Sequence, residues 1–197
     1  MPVTDLASDF KWKKNHVRER PLKSLGIVSI LLLRYFFGVY FFVGAFYKLS
    51  KNWLWTDALK ILFQRQLETL NQLNDIFINQ LNGNRFFSSV EPHSPLYAFE
   101  PYYLEHFAIP FYLAIAWVVT LGELMVGLSL VLGLAVRINS AVALFILLNF
   151  AAGGYFQFHT SFPLMFCALL FMCLPSGQWF GLDKKLHEKY PDSLWFK

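Results

Sequence analysis

Two ionisable residues lie inside long apolar runs. Glu123 lies near the middle of Ile109–Arg137, IPFYLAIAWVVTLGELMVGLSLVLGLAVR, and Arg34 about a third of the way into Leu25–Leu49. A charge at bilayer depth costs at least a few kcal/mol unless it is paired or solvated. Each therefore needs a partner, and the spacing predicts that they serve each other. Counted along helices from a common inner edge, Arg34 sits roughly 13 Å in and Glu123 roughly 18–21 Å in. Two long side chains and helix tilt can bridge that offset. The pair has two readings: a structural ion pair that fixes helix order, or a polar pocket for a quinone head group or proton transfer. The pocket would draw further donors from Tyr35, Tyr40 and Asn149.

Other chemistry-bearing residues form weaker sets. Lys48, Tyr155, Gln157 and His159 make a second polar group at the outer rim, which snorkelling and aromatic-belt anchoring explain more cheaply. Cys167 and Cys173 are six apart, on different faces of a helix, and read as small core residues. His16, His93, His106, His159 and His187 are scattered, with no i, i+4 pair on one span to hold haem or metal. No CxxCH, HExxH, Walker loop or acidic-tailed GxGxxG is present. No complete catalytic set, metal site or resident cofactor is expected in this chain. A docked quinone stays open, with any electron carrier on a partner.

Elements that could position these residues are membrane helices. Of 197 residues, 56% are hydrophobic and only 15% charged, against about 25% charged in soluble domains. Four spans are expected, at about 25–49, 109–136, 138–158 and 161–180, since about 20 apolar residues suffice to cross a bilayer. The fold class is thus an all-α, four-transmembrane-helix bundle (residues 25–186) between a basic tail at 1–24 and a short tail at 187–197. Gly38, Gly44, Gly127 and Gly133 are the expected close-packing positions between helices. The first apolar run is too long for a signal peptide and lacks a small-residue cleavage site. With four spans, both termini share a side that collects eleven Lys/Arg against five on the other. The positive-inside rule makes that side cytoplasmic. The basic head, from Lys11 to Lys23, then faces phospholipid head groups and no nucleic acid is expected.

Residues 50–108 are too many for a structureless connection. Leu59, Phe63, Leu67, Leu70, Leu73, Phe77 and Leu81 make one helical stripe, with Lys60, Gln64 and Glu68 off it. This amphipathic helix could lie on lipid or pack on protein. The following GNRFFSSVEPHSPLYAFEPYYLEHF reads as an ordered aromatic cap. Trp53, Trp55, Phe86, Phe87, Tyr102 and Tyr103 are the candidate docking residues of this whole insertion for partner subunits, because aromatics are enriched at interface cores.

Arg34-x-x-x-Gly38 with Gly44-x-x-x-Lys48-Leu49, then Glu123-x-x-x-Gly127 with Leu132-Gly133-x-x-x-Arg137, resembles the DoxX/DoxD-like membrane family. Pro175-Ser176-Gly177 and Gly181-Leu182-Asp183 extend the likeness. It covers roughly residues 25–50 and 109–186, so Lys48, Arg137, Gly177 and Asp183 enter as motif positions. The resemblance implies a four-helix bundle in a bacterial- or archaeal-type cytoplasmic membrane. In its DoxD branch it implies association with thiosulfate:quinone oxidoreductase. The long Trp53–His106 insertion departs from the compact family pattern. Two functions follow as expectations: a non-catalytic membrane subunit of an oxidoreductase or electron-transfer complex, or a self-contained quinone- or small-solute-binding protein or transporter.

Overall fold

The computed structural model describes residues 21–82, 95–153, 158–190 and 193, with the backbone alone for 73–82, 95–98 and 158. Most of the basic head, Phe86, Phe87, Tyr155, Gln157 and most of the C-terminal tail lie outside them. The described residues form helices and turns only: α1 (Pro21–Ser50), α2 (Ala58–Asn82), α3 (Pro95–Tyr103) running into a π-helical turn (Leu104–Ala108), and α4 (Tyr112–Leu132). They continue with α5 (Val136–Ala152), α6 (Phe158–Cys173), α7 (Ser176–Trp179) and α8 (Asp183–Lys189).

α1 begins at Pro21, where a fixed φ and a missing N–H suit the first helical position. It runs antiparallel to α4, which packs on α5; α5 packs on α6, and α6 returns to α1. The shared core holds Phe37 and Phe41 of α1, Val126 and Leu130 of α4, Ile146 of α5 and Phe171 of α6. Phe37 meets Phe41 edge-on at 5.1 Å and Phe171 at 5.7 Å. The outer faces are apolar as well: Phe36, Val43, Met125, Leu128, Phe145 and Phe166 are all exposed. A surface this continuously apolar calls for lipid or protein cover. α1 and α4 are long and apolar enough to cross a membrane, whereas α5 and α6 are apolar but shorter. The expected fourth span at 161–180 stops at Cys173, and α6 starts early enough to put Pro163 inside it rather than in its first turn.

Glycines set how closely α1 and α4 approach. A Cβ on Gly127 would lie 2.7 Å from the Phe42 backbone N and 2.9 Å from the Gly38 carbonyl oxygen. Backbone meets backbone there, with nothing flexible to yield. Gly127→Ala is expected to cost about 1–3 kcal/mol by wedging the helices apart. Gly26→Ala, where no atom lies within 4 Å, should be neutral or slightly stabilising. Denaturant titration of both variants in detergent measures the difference, and equal stabilities would refute the close-packing role of Gly127.

A second apolar core joins α2 to the bundle. Leu59 and Phe63 of the stripe pack with Leu54, Leu104, Ala108 and Ala116, and Leu67 and Leu70 flank them. Burying a Leu or Phe is worth about 1.5–3 kcal/mol each. The described part of the stripe therefore packs on protein rather than lipid. Tyr112 adds a hydrogen bond to Asp57 across the same junction. On α3, burial pushes the Glu100 carboxyl above the ordinary range, against a Gln66 hydrogen bond that pulls it down.

Candidate functional site

The α1–α4 register decides which charges meet. Gly38 lies against Leu130 and Val131, Gly44 against Glu123, and the Arg34 guanidinium beside Gly133. Arg34 is thus level with the end of α4, while Glu123 is level with Gly44, about 15 Å further along α1. The expected Arg34–Glu123 pair does not form. The two helices do not start from a common plane, because α1 runs on past the end of α4 by Pro21–Leu33, about 20 Å. The five residues do not form one pocket: Tyr35 stays with Arg34, Tyr40 is half-exposed but near enough to feel the Glu123 charge, and Asn149 sits near the far end of α5.

Glu123 pairs with Lys48 instead, in a buried salt bridge. Lys48 lies in the last turn of α1, and its side chain leans back towards the helix N-terminus. Gly44, one turn earlier on the same face, leaves the carboxylate its room: a Cβ there would stand 3.3 Å from Glu123 Oε2. Two rings cover the ammonium, Trp53 with its centroid at 5.6 Å and Phe150 at 5.3 Å. Both lie within the range of cation–π attraction. Thr120, one turn before Glu123, is buried with a hydroxyl that has no hydrogen-bond partner. The result is a desolvated carboxylate–ammonium pair beneath aromatic cover, able to hold a charge in place or pass a proton. Snorkelling, the economical reading of Lys48, does not describe it. The sequence signal was the Gly44–Lys48 spacing; Phe150 and Thr120 carried none.

Arg34 is fully buried and answers a different need. It donates to the carbonyl of Ser176 and to that of Phe180, the latter at 2.6 Å. Ser176 opens the short helix α7 and Phe180 follows its end, so Arg34 holds the carbonyls at both ends of that turn. Facing it, α4 ends on Gly133, left-handed with φ 65°, and Ala135 is left-handed with φ 46°. Asp183 accepts from the N–H of Ala135 at 2.6 Å and of Val136 at 3.1 Å, capping α5 from a distant segment. The backbones close the clasp: Leu182 N–H donates to the Leu132 carbonyl and Asp183 N–H to that of Gly133. Gly181 and Gly133 touch so nearly that a Cβ on Gly181 would lie 2.7 Å from the Gly133 oxygen. Gly177 is bare because the Asp183 carboxylate fills its Cβ position. Arg137 lies near enough to act on Asp183 electrostatically. Non-helical backbone between apolar helices is tolerated only when protein satisfies it, and Arg34 and Asp183 do so. Gly133, Arg137, Ser176, Gly177 and Asp183, distant in sequence, are therefore one structure.

The described docking residues divide. Trp53 is half-buried on Lys48, and Tyr103 donates to Asn149 Oδ1 at 3.2 Å, so both serve the fold. Trp55 and Tyr102 are exposed, Trp55 edge-on to Trp117 at 6.1 Å and Tyr102 stacked on His106 at 4.2 Å. Compared with known proteins, the chain matches no family model, no curated protein and no solved structure.

Proposed function

We propose that this chain is a four-span protein of a bacterial- or archaeal-type cytoplasmic membrane, with both termini inside. In this reading it is a non-catalytic membrane subunit of an oxidoreductase or electron-transfer complex. The DoxX/DoxD resemblance suggests a quinone-linked complex of the thiosulfate:quinone type, with the outer layer between α1 and α4 docking the partner subunits. One observation carries the reading: that layer is ordered on the bundle by a second apolar core, in which Leu54, Leu59, Phe63, Leu104 and Ala108 pack with Ala116 of α4. Ordering such a layer costs about 1–2 kcal/mol per residue in backbone entropy, far more than a tether between two helices requires. Its outward side offers Gln64, Arg65, Glu68 and Gln72, all exposed on α2. Arg65→Glu with Glu68→Arg should release the partners while the chain stays in the membrane. Co-purification from gently solubilised native membranes reads this directly. Unchanged stoichiometric partners would refute docking through α2, and the absence of any redox partner with the native chain would refute the subunit reading.

The buried Lys48–Glu123 pair beneath Trp53 and Phe150 favours a second reading, a self-contained quinone- or small-solute-binding protein. Ionisable pairs inside membrane helices commonly mark solute or proton paths. A quinone analogue that raises the melting temperature of the isolated chain, but not of Glu123→Gln, would support it.

A further inference from the structure

The cap carries a row of rings whose direction is fixed by one hydrogen bond. Phe99, Tyr103, Phe107 and Phe111 follow at four-residue spacing, with successive centroids 6.3, 5.3 and 5.7 Å apart. Residues so spaced share one face of a helix. Tyr103 shows which way that face looks, because its hydroxyl reaches Asn149 on α5. Gly122 meets Ile146 across α4 and α5, which puts Asn149 level with Val119. That level is about 10 Å down the bundle from Tyr112, the first residue of α4. The ring-bearing face of the cap is therefore turned towards the flank of the bundle.

The other rings of the row are left uncovered: Phe99 is 60%, Phe107 47% and Phe111 54% exposed. Their apolar surface continues onto α4 through Leu113, Trp117 and Val118, also exposed. Glu105, two residues from Tyr103 and so on the far side of the helix, is exposed too. One face carries the ring row and is turned towards the bundle; the other carries Glu105 with the stacked Tyr102 and His106 and is turned away. An interfacial helix has this division, and aromatic rings favour the headgroup level. The α2 stripe cannot take this role, since Leu59 and Phe63 are buried in protein.

We propose that the cap is seated in the adjoining bilayer leaflet, with Phe99, Phe107 and Phe111 on lipid and Tyr103 hooking it to α5. This rests on the membrane reading above and goes beyond it. Partners are left the polar side of α2, and the aromatic side belongs to the bilayer.

Spin labels test the seat on the full chain, in a Cys167→Ser, Cys173→Ser background reconstituted into phosphatidylcholine–phosphatidylglycerol vesicles. Labels enter singly through Phe99→Cys and Phe107→Cys, with Leu121→Cys reporting α4 and Glu68→Cys the polar side of α2. Oxygen collisions at 99 and 107 are expected to exceed those of a water-soluble nickel chelate several-fold, as at 121, with the reverse at 68. Nickel dominance at 99 and 107 alone overturns the seat, leaving the membrane reading intact. Suppression of both collision rates there overturns it in favour of protein cover. Nickel dominance at 121 as well overturns the membrane reading and the seat together. Should Phe107→Cys not fold, Phe111→Cys samples the same row.

Discussion

Lys48→Met is expected to destabilise the protein by about 3–5 kcal/mol, because it leaves a buried carboxylate without its counter-charge. Glu123→Gln should cost less, about 1–3 kcal/mol. Lys48 is in the last turn of α1 and can swing its ammonium towards water once released, whereas Glu123 sits mid-helix with no such route. Lys48→Met combined with Glu123→Leu removes both charges and should recover most of the loss, since an apolar pair of similar volume often matches a buried ion pair. Arg34→Met with Glu123→Leu is the contrasting cycle. Those residues are separated by about 15 Å along the bundle, so their effects should add within about 0.5 kcal/mol. Denaturant titrations in detergent supply both cycles. Additivity for Lys48 with Glu123, or coupling for Arg34 with Glu123, would overturn the assignment of the pair.

Asp183→Leu is expected to open the clasp where α4 meets α5. Two N–H groups, on Ala135 and Val136, lose their acceptor, and each buried group left unpaired costs about 1–3 kcal/mol. Arg34→Leu should act alike through the carbonyls of Ser176 and Phe180. The two substitutions disrupt one structure, so the double variant should lose less than the sum, by about 0.5–3 kcal/mol. Gly177→Ala should mimic Asp183→Leu, as its methyl group takes the place of the carboxylate. Amide hydrogen exchange gives the local readout. Ala135, Val136, Leu182 and Asp183 should lose protection while the mid-α4 amides around Val126 keep theirs. Native protection at Ala135 and Val136 in Asp183→Leu would refute the capping role.

The apolar runs of α1, α4, α5 and α6 were legible in the sequence because they are local: an uninterrupted apolar run at 1.5 Å per residue needs no knowledge of its neighbours. The α2 stripe was legible for the same reason. Its surroundings were not, since Leu59 and Phe63 suit lipid and protein equally until Leu104, Ala108 and Ala116 are seen beside them. Motif positions were visible as unusual residues, but their work was not. Arg34 looked like half of an ion pair and is a ligand for two carbonyls; Gly44 looked like a packing glycine and makes room for Glu123.

Helix register separates what the residues could specify from what only the fold decided. A sequence fixes how far Arg34 and Lys48 lie along α1, and how far Glu123 lies along α4, but it carries no common zero for the two scales. That zero is set by backbone contact of Gly127 with Gly38 and Phe42, and by the clasp that ends α4 at Gly133. Sliding α1 by a few residues would exchange one charge partner for another without altering either helix. The sequence therefore determined that Glu123 needed a cation, since a lone buried charge is too costly. The tertiary structure decided that the cation is Lys48.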